Sequence, residues 1–216
     1  MSSSSINFTS RPFIEGLDAT DPLASFRQGF VITDEDMCYL DGNSLGRLPL
    51  ATIGVVNDFL HNEWGAQMVS GWNSWIDEAQ STGDLIGRAT LGVEPGQMLA
   101  VDTTSVNFYQ LCHAAITARP GRHKVISDTA NFPTDRYILE GLCQELGCEL
   151  ILINDEDGEE YVTPEMLAPY LDDDVALVTF SVIQYRSGAL HDIARISQMT
   201  RDAGALCVWD ASHAVG

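Results

Sequence analysis

Lysine is nearly missing from this chain. Of the 11 basic residues ten are arginine, and Lys124 is the one lysine in 216 residues, so chemistry that needs an amine has a single candidate here. Basic charge is scarce altogether. The 31 acidic residues leave a formal net charge of −20, a field that repels phosphate backbones and anionic lipid, which excludes nucleic acid and membrane surfaces as expected partners. No apolar run approaches the roughly 18 residues needed to cross a bilayer. The opening Met1-Ser2-Ser3-Ser4-Ser5 lacks the basic and apolar parts of a signal peptide. The expectation is a cytoplasmic protein. No C-x-x-C pair occurs among Cys38, Cys112, Cys143, Cys148 and Cys207, an odd set that reads as free thiols in a chain too large to need covalent staples. No His or second Cys pair accompanies Cys143 and Cys148, so no metal is expected there. No glycine-rich approach leads to Lys124, which excludes a P-loop.

Apolar residues are plentiful, at 45%, enough for a sizeable core. Residues 1–36, with Pro12 and Pro22, read as an N-terminal arm, and 37–216 as part of one larger, incomplete domain. Met37-Cys38-Tyr39-Leu40 is a strand candidate, followed by the turn-rich Asp41-Gly42-Asn43-Ser44-Leu45-Gly46. A helix is expected from about Pro49 to Gly65, with Ile53, Val56, Phe59 and Leu60 on one face. From residue 97 the pattern becomes regular. Strand candidates at 97–101, 123–127, 148–153, 175–183 and 205–209 alternate with amphipathic segments at 105–118, 133–146, 163–170 and 191–203. Pro133 and Pro164 stand at helix starts, Gly147 and Gly204 at helix ends. This alternation predicts an α/β fold with a mostly parallel sheet covered by helices. The acidic runs at 155–160 and 172–174 read as solvated connections. The ending Asp210-Ala211-Ser212-His213-Ala214-Val215-Gly216 comes after a strand where such a sheet would continue, so the chain is expected to be truncated.

Ligands of open α/β sheets sit beyond the carboxyl ends of the strands. Three stretches there are unusual. Asp102-Thr103-Thr104-Ser105 opens a helix with hydroxyls and free amides, suited to a phosphate or simply an N-cap. Asn131-Phe132-Pro133-Thr134-Asp135 sets an aromatic at a strand-to-helix corner, either a surface for a flat ring or a hydrophobic staple. Asp210, with His213 three residues on, places a carboxylate at a buried strand end, where it needs a cation, strong donors or a capped turn. A competing motif is Gly42-Asn43-Ser44-Leu45-Gly46, which fits the G-x-S-x-G nucleophile elbow with Asp210 and His213 in hydrolase order. Against it, Pro49 starts the helix too late, and an Asp and His three apart are poorly placed to relay a proton.

Taken in order, Tyr39-Leu40-Asp41-Gly42-Asn43-Ser44-Leu45-Gly46, Thr104-Ser105-Val106-Asn107, Phe132-Pro133-Thr134-Asp135, Tyr185-Arg186-Ser187-Gly188 and Trp209-Asp210-Ala211-Ser212-His213 resemble the kynureninases. These are fold-type-I pyridoxal-phosphate enzymes that hydrolyse L-kynurenine, or its 3-hydroxy derivative, to an anthranilate and L-alanine. The resemblance implies that Thr104 and Ser105 bind the cofactor phosphate, that Phe132, Pro133, Thr134 and Asp135 cover its ring, and that Ser181 is a further contact. It implies that Asp210 pairs with the pyridine nitrogen beside His213. Trp72 falls where some members carry a substrate-facing His, as a ring contact or as plain packing. The family's Tyr-Lys pair, which supplies the Schiff-base lysine, lies downstream of the Asp-His motif and is not reached. The chain is therefore expected to be part of a homodimeric enzyme of tryptophan catabolism, or else a short chain that binds cofactor or a partner without catalysis.

Overall fold

The computed structural model describes residues 8–154 and 161–215. The acidic run at 155–160 lies outside the described residues. Contacts divide the chain into two compact units, Met1–Ile76 and Asp77–Gly216.

The first unit is helical. Helix α1 (Arg11–Thr20) forms within the segment set apart in the sequence as an N-terminal arm, where no helix is expected. Pro12 permits it because the first turn of a helix has no use for the missing N–H. A 3₁₀ turn at Ala24–Gly29 comes next. The expected strand at 37–40 forms no ladder, since the unit offers it no partner strand among the described residues; Met37 and Leu40 are exposed. Instead the Tyr39 hydroxyl donates to the carbonyls of Asp41 and Leu45, at 3.1 and 2.6 Å, and closes the Gly42–Gly46 turn. Pro49 caps α2 (Leu50–Asp58) as expected. The helix then runs through a π-helical turn (Phe59–Trp64) into α3 (Gly65–Gln67), two residues past the predicted end. A 3₁₀ turn (Met68–Gly71) and α4 (Trp72–Trp75) complete the unit.

The second unit opens with α5 (Glu78–Thr90) and α6 (Thr104–Thr117). Strand and helix then alternate through β1 (Lys124–Asp128), α7 (Pro133–Leu146), β2 (Glu149–Ile153), α8 (Pro164–Leu167), β3 (Val175–Ser181), α9 (Ile193–Asp202) and β4 (Leu206–Asp210). A 3₁₀ turn at Ala168–Tyr170 extends α8. These bounds agree with the periodicity to within a few residues. Helix α5 answers to no predicted segment, and the expected strand at 97–101 joins no sheet. Its polar groups turn to α5 instead: Ala100 N donates to Ala79 O at 2.9 Å, and Gln80 Nε2 donates to Met98 O at 3.1 Å. Gly83 makes that approach possible, because a Cβ there would lie 2.3 Å from Met98 O.

The four strands are parallel in the order β2-β1-β3-β4. Every residue of β3 is buried. Alternation along the strands sends Val125 and Leu177 to one face, where Phe108, Cys112 and Ile116 of α6 and Leu139 and Leu142 of α7 cover them. Ile126, Val178 and Phe180 go to the other face, under Leu167 and Ile196. The winding of the crossovers reverses between β1 and β3: β1 leads outward to β2, and β3 outward to β4 on the other side. The carboxyl ends of these two strands therefore form the switch point at which such sheets bind ligands.

At the opposite edge an arginine pair ties the loops together. Arg122 Nη1 donates to the carbonyls of Val175 and Ala203, at 2.7 and 2.9 Å, and Arg119 Nε to Gly204 O at 2.9 Å. Gly204 has φ +76°, and a Cβ on it would stand 2.6 Å from Arg122 Nη2. Gly204→Ala therefore meets left-handed strain and a clash with a tethered guanidinium. We expect a loss of about 1–3 kcal/mol, read as a lower urea midpoint at unchanged slope.

Candidate functional site

The loops and turns at the carboxyl ends of β1, β3 and β4 build the site. Asn131 organises the loop after β1. Its Nδ2 donates to Ser127 Oγ at 3.1 Å, while its Oδ1 accepts from Ser181 Oγ and from Phe132 N, each at 2.8 Å. Ser181 thus spends its hydroxyl on holding Asn131, and Asn131 in turn fixes the corner that carries Phe132. The Phe132 ring is 42% exposed and meets the ring of Tyr185 edge-on, centroids 5.2 Å apart at 82°. Pro133 starts α7 and, with Thr134, is half-buried.

Asp135, in the first turn of α7, is only 3% exposed, and its Oδ2 has no hydrogen-bond partner. Burial first, and the Asp210 carboxylate second, push its carboxyl up to about 7. The ends of α7 and β4 therefore bring two carboxyl groups against each other. Ser212 steadies Asp210 by donating to Oδ1 from its backbone N at 2.8 Å and its hydroxyl at 2.5 Å. Two acidic groups so arranged favour a shared proton or a cationic partner.

Thr104 and Ser105 are the first two residues of α6 and are exposed, while Thr103 serves as the N-cap, its Oγ1 accepting from Val106 N at 3.3 Å. Asp102, just before, holds φ +43°, a conformation that costs a non-glycine residue of order 1 kcal/mol. A cleft of about 500 Å³ is lined by Thr104, Asn107, Phe108, Trp209, Asp210 and Ser212, among others, so the helix start and the strand-end carboxylate share one space. His213 is half-buried in the turn after β4.

Other sequence candidates stand on other elements. Lys124 begins β1, at the amino edge, and its Nζ pairs with Asp172 Oδ2 at 2.6 Å. Trp72 belongs to the first unit, exposed and edge-on to Trp75 at 6.3 Å. Ser44 has no nucleophile elbow: its hydroxyl donates to Asp41 Oδ1 at 2.8 Å, no strand leads to it, and the next helix begins at Leu50.

Three buried polar residues at this edge are not singled out by the sequence pattern: Asp128, Gln184 and His191, each 2% exposed. Asp128 ends a strand, as Asp210 does, and the same rule points to it. Its carboxyl is pushed up to about 6 by burial, opposed by the Gln184 amide that donates to it and by the nearby amide dipoles of Ala130 and Asn131. His191 stacks on Phe180, centroids 5.4 Å apart at 13°, and its Nε2 accepts from Val162 N at 3.1 Å; burial holds its pKa below the usual value.

The helix-covered parallel sheet with its switch point is an α/β fold of the kind found in fold-type-I pyridoxal-phosphate enzymes. Residues 101–216, just over half of the chain, match the class-V aminotransferase family, and the chain belongs to that family. It is similar to the kynureninase of Pseudomonas fluorescens, at 35% identity across 96% of this chain and 50% of the relative. It is also similar to that of Burkholderia pseudomallei strain 1106a, at 35% across 93% of this chain and 48% of the relative. The chain spans about half the length of the curated relatives it matches. Among solved structures, the cysteine desulfurase CsdA from Escherichia coli superposes with a TM-score of 0.70 at 14% identity, covering 86% of this chain and 47% of that one. A C-DES variant with glycine covalently linked to its PLP cofactor gives 0.68 at 13%, covering 83% and 48%. These two likenesses carry the fold. Among the described residues no helix is long and apolar enough to cross a membrane.

Proposed function

We propose that this chain forms the cofactor-binding part of an enzyme that hydrolyses L-kynurenine, or its 3-hydroxy derivative, to an anthranilate and L-alanine with pyridoxal phosphate. The carrying observation is the Asp135–Asp210 pair beside the start of α6. A buried carboxyl with one oxygen lacking a hydrogen-bond partner, opposed by a second carboxyl, suits a protonated ring nitrogen. The relatives supply the substrate class.

In this reading Asp210 pairs with the ring nitrogen and keeps it charged, with His213 beside it. Asp135 holds a proton or a hydrogen bond next to Asp210. Phe132 lies against the ring, with Pro133 and Thr134 closing the corner. Thr104, Ser105 and the free amides of α6 receive the phosphate. Ser181 acts at one remove, through Asn131. When bound, the cofactor supplies an electron sink that makes cleavage next to a carbonyl accessible. Lys124 is tied to Asp172 at the amino edge of the sheet, so the amine the reaction requires comes from outside residues 1–216. The complete protein is a cytoplasmic homodimer in this reading.

The test is to read the coding sequence beyond Gly216 for a Tyr-Lys pair, purify the whole product and measure anthranilate release from both kynurenines. Equal amounts of anthranilate and alanine are expected. Sulfur release from cysteine with no anthranilate would overturn the substrate and leave the cofactor standing. For the chain alone, pyridoxal phosphate and then borohydride are expected to leave no adduct specific to Lys124. That outcome would also suit a short chain that binds the cofactor without catalysis.

A further inference from the structure

Asp128 and Gln184 form a pair to which the proposed reaction gives no role. Asp128 ends β1 and Gln184 lies three residues past β3, so both stand at the switch point, and both are buried. Gln184 Nε2 donates to Asp128 Oδ1 at 3.0 Å. The remaining oxygen of each, Asp128 Oδ2 and Gln184 Oε1, is buried without a hydrogen-bond partner. Two stranded acceptors in one bonded pair are a mismatch that a single hydrogen resolves. A protonated carboxyl presents one donor and one acceptor side by side, and a primary amide presents the complement.

Gln184 is also the foot of a tight turn. Its N donates to Ala189 O at 2.9 Å, its carbonyl accepts from Gly188 N at 2.8 Å, and Ile183 bridges to Leu190. The next residue, Tyr185, rests its ring edge on Phe132. Phe132 itself is held from the β1 side, through Asn131. The Asp128–Gln184 pair therefore joins the strand that leads to Phe132 to the turn that carries Tyr185.

We propose that Asp128 is a positioning residue. It carries a proton, closes a two-hydrogen-bond clasp with Gln184, and so holds Tyr185 against Phe132 and sets the face that Phe132 offers the cofactor ring. The proposal rests on the cofactor role assigned to this site under the proposed function. Burial of Asp128 supports the proton. The groups that act on it are the Gln184 amide from the turn, the amides of Ala130 and Asn131 from its own loop, and the Arg136 guanidinium of α7, which opposes protonation. Asp210 acts on Asp135 instead.

The test is a mutant cycle on the chain, read by pyridoxal phosphate affinity from tryptophan fluorescence and by urea midpoint without cofactor. Asp128→Asn supplies the missing hydrogen permanently and is expected to bind within about twofold of the parent, whereas Asp128→Ala binds about tenfold more weakly. Tyr185→Leu weakens binding as well, and Asp128→Ala adds little on top of it, because both break one linkage. If Asp128→Ala does not fold, Gln184→Met takes its place. Parental affinity in Asp128→Ala, an Asn variant as weak as the Ala variant, or multiplying effects of the Asp128 and Tyr185 changes would overturn the proposal. Should the parent chain bind no pyridoxal phosphate, the cofactor role fails. The clasp is then judged on the midpoints alone, where Asn at or above parent, Ala below it and non-additivity with Tyr185→Leu are expected, and additivity would sink it.

Discussion

Asp135→Asn raises the stability of the cofactor-free chain by about 2–4 kcal/mol at pH 8 and by close to nothing at pH 4, as read from urea midpoints. The folded carboxyl titrates near 7, far above its ordinary 3.8. Between those values the folded chain holds a proton that the unfolded chain has released, so stability falls as pH climbs through this window and levels off above it. Asparagine has no such proton, and its stability curve lacks that slope. Asp128, with a folded value near 6, contributes a shallower fall of the same sign in both proteins and cancels in the difference. A difference independent of pH would refute the pairing of Asp135 with Asp210. The consequence for function is direct: a cation set between the two carboxylates removes the penalty. Added pyridoxal phosphate is therefore expected to stabilise the parent at pH 8 more than the Asn variant.

The sequence makes the sheet legible wherever one short apolar run matches one strand. The segments 123–127, 175–183 and 205–209 sit between helices whose ends are marked by Pro133, Gly147, Pro164 and Gly204, and those marks fix the frame. Two expected strands fail for one reason. Residues 37–40 and 97–101 carry strand-like side chains, yet a strand exists only if a neighbour pairs with it, and the 97–101 backbone bonds to α5 instead. Helix α5 itself is hidden because Ser81, Thr82, Gly83 and Gly87 are weak helix formers, while Gly83 and Gly87 are what bring it close to Met98. In the site, Asp210 can be found from its place at a strand end. Its opposition to Asp135 cannot, since it depends on how α7 and β4 are set around a sheet ordered β2-β1-β3-β4. Ser181 shows the converse: it stands at the end of β3, where a ligand contact is expected, but its hydroxyl serves Asn131.

Asp210→Ala is expected to lower affinity for pyridoxal phosphate by 100-fold or more, measured by equilibrium dialysis at pH 8. A hydrogen bond to a charged group contributes about 1.5–3 kcal/mol, and a ring cation left half-buried with only Asp135 near it loses more. About 3 kcal/mol in total corresponds to two orders of magnitude in the dissociation constant. Asp210→Asn keeps the shape and an oxygen for the Ser212 donors, but loses the charge, and is expected to fall between parent and Ala. Stability moves the other way. With the Asp210 carboxylate gone, Asp135 keeps its burial and loses the like charge beside it, so at pH 8 the urea midpoint of Asp210→Ala should hold or rise slightly. Binding that falls while folding holds separates a carboxylate kept for a cationic ligand from one kept to cap the turn at Ser212. If Asp210 only capped that turn, removing it would lower stability by about 1 kcal/mol, seen as a lower midpoint, and leave pyridoxal phosphate affinity within a few-fold of the parent.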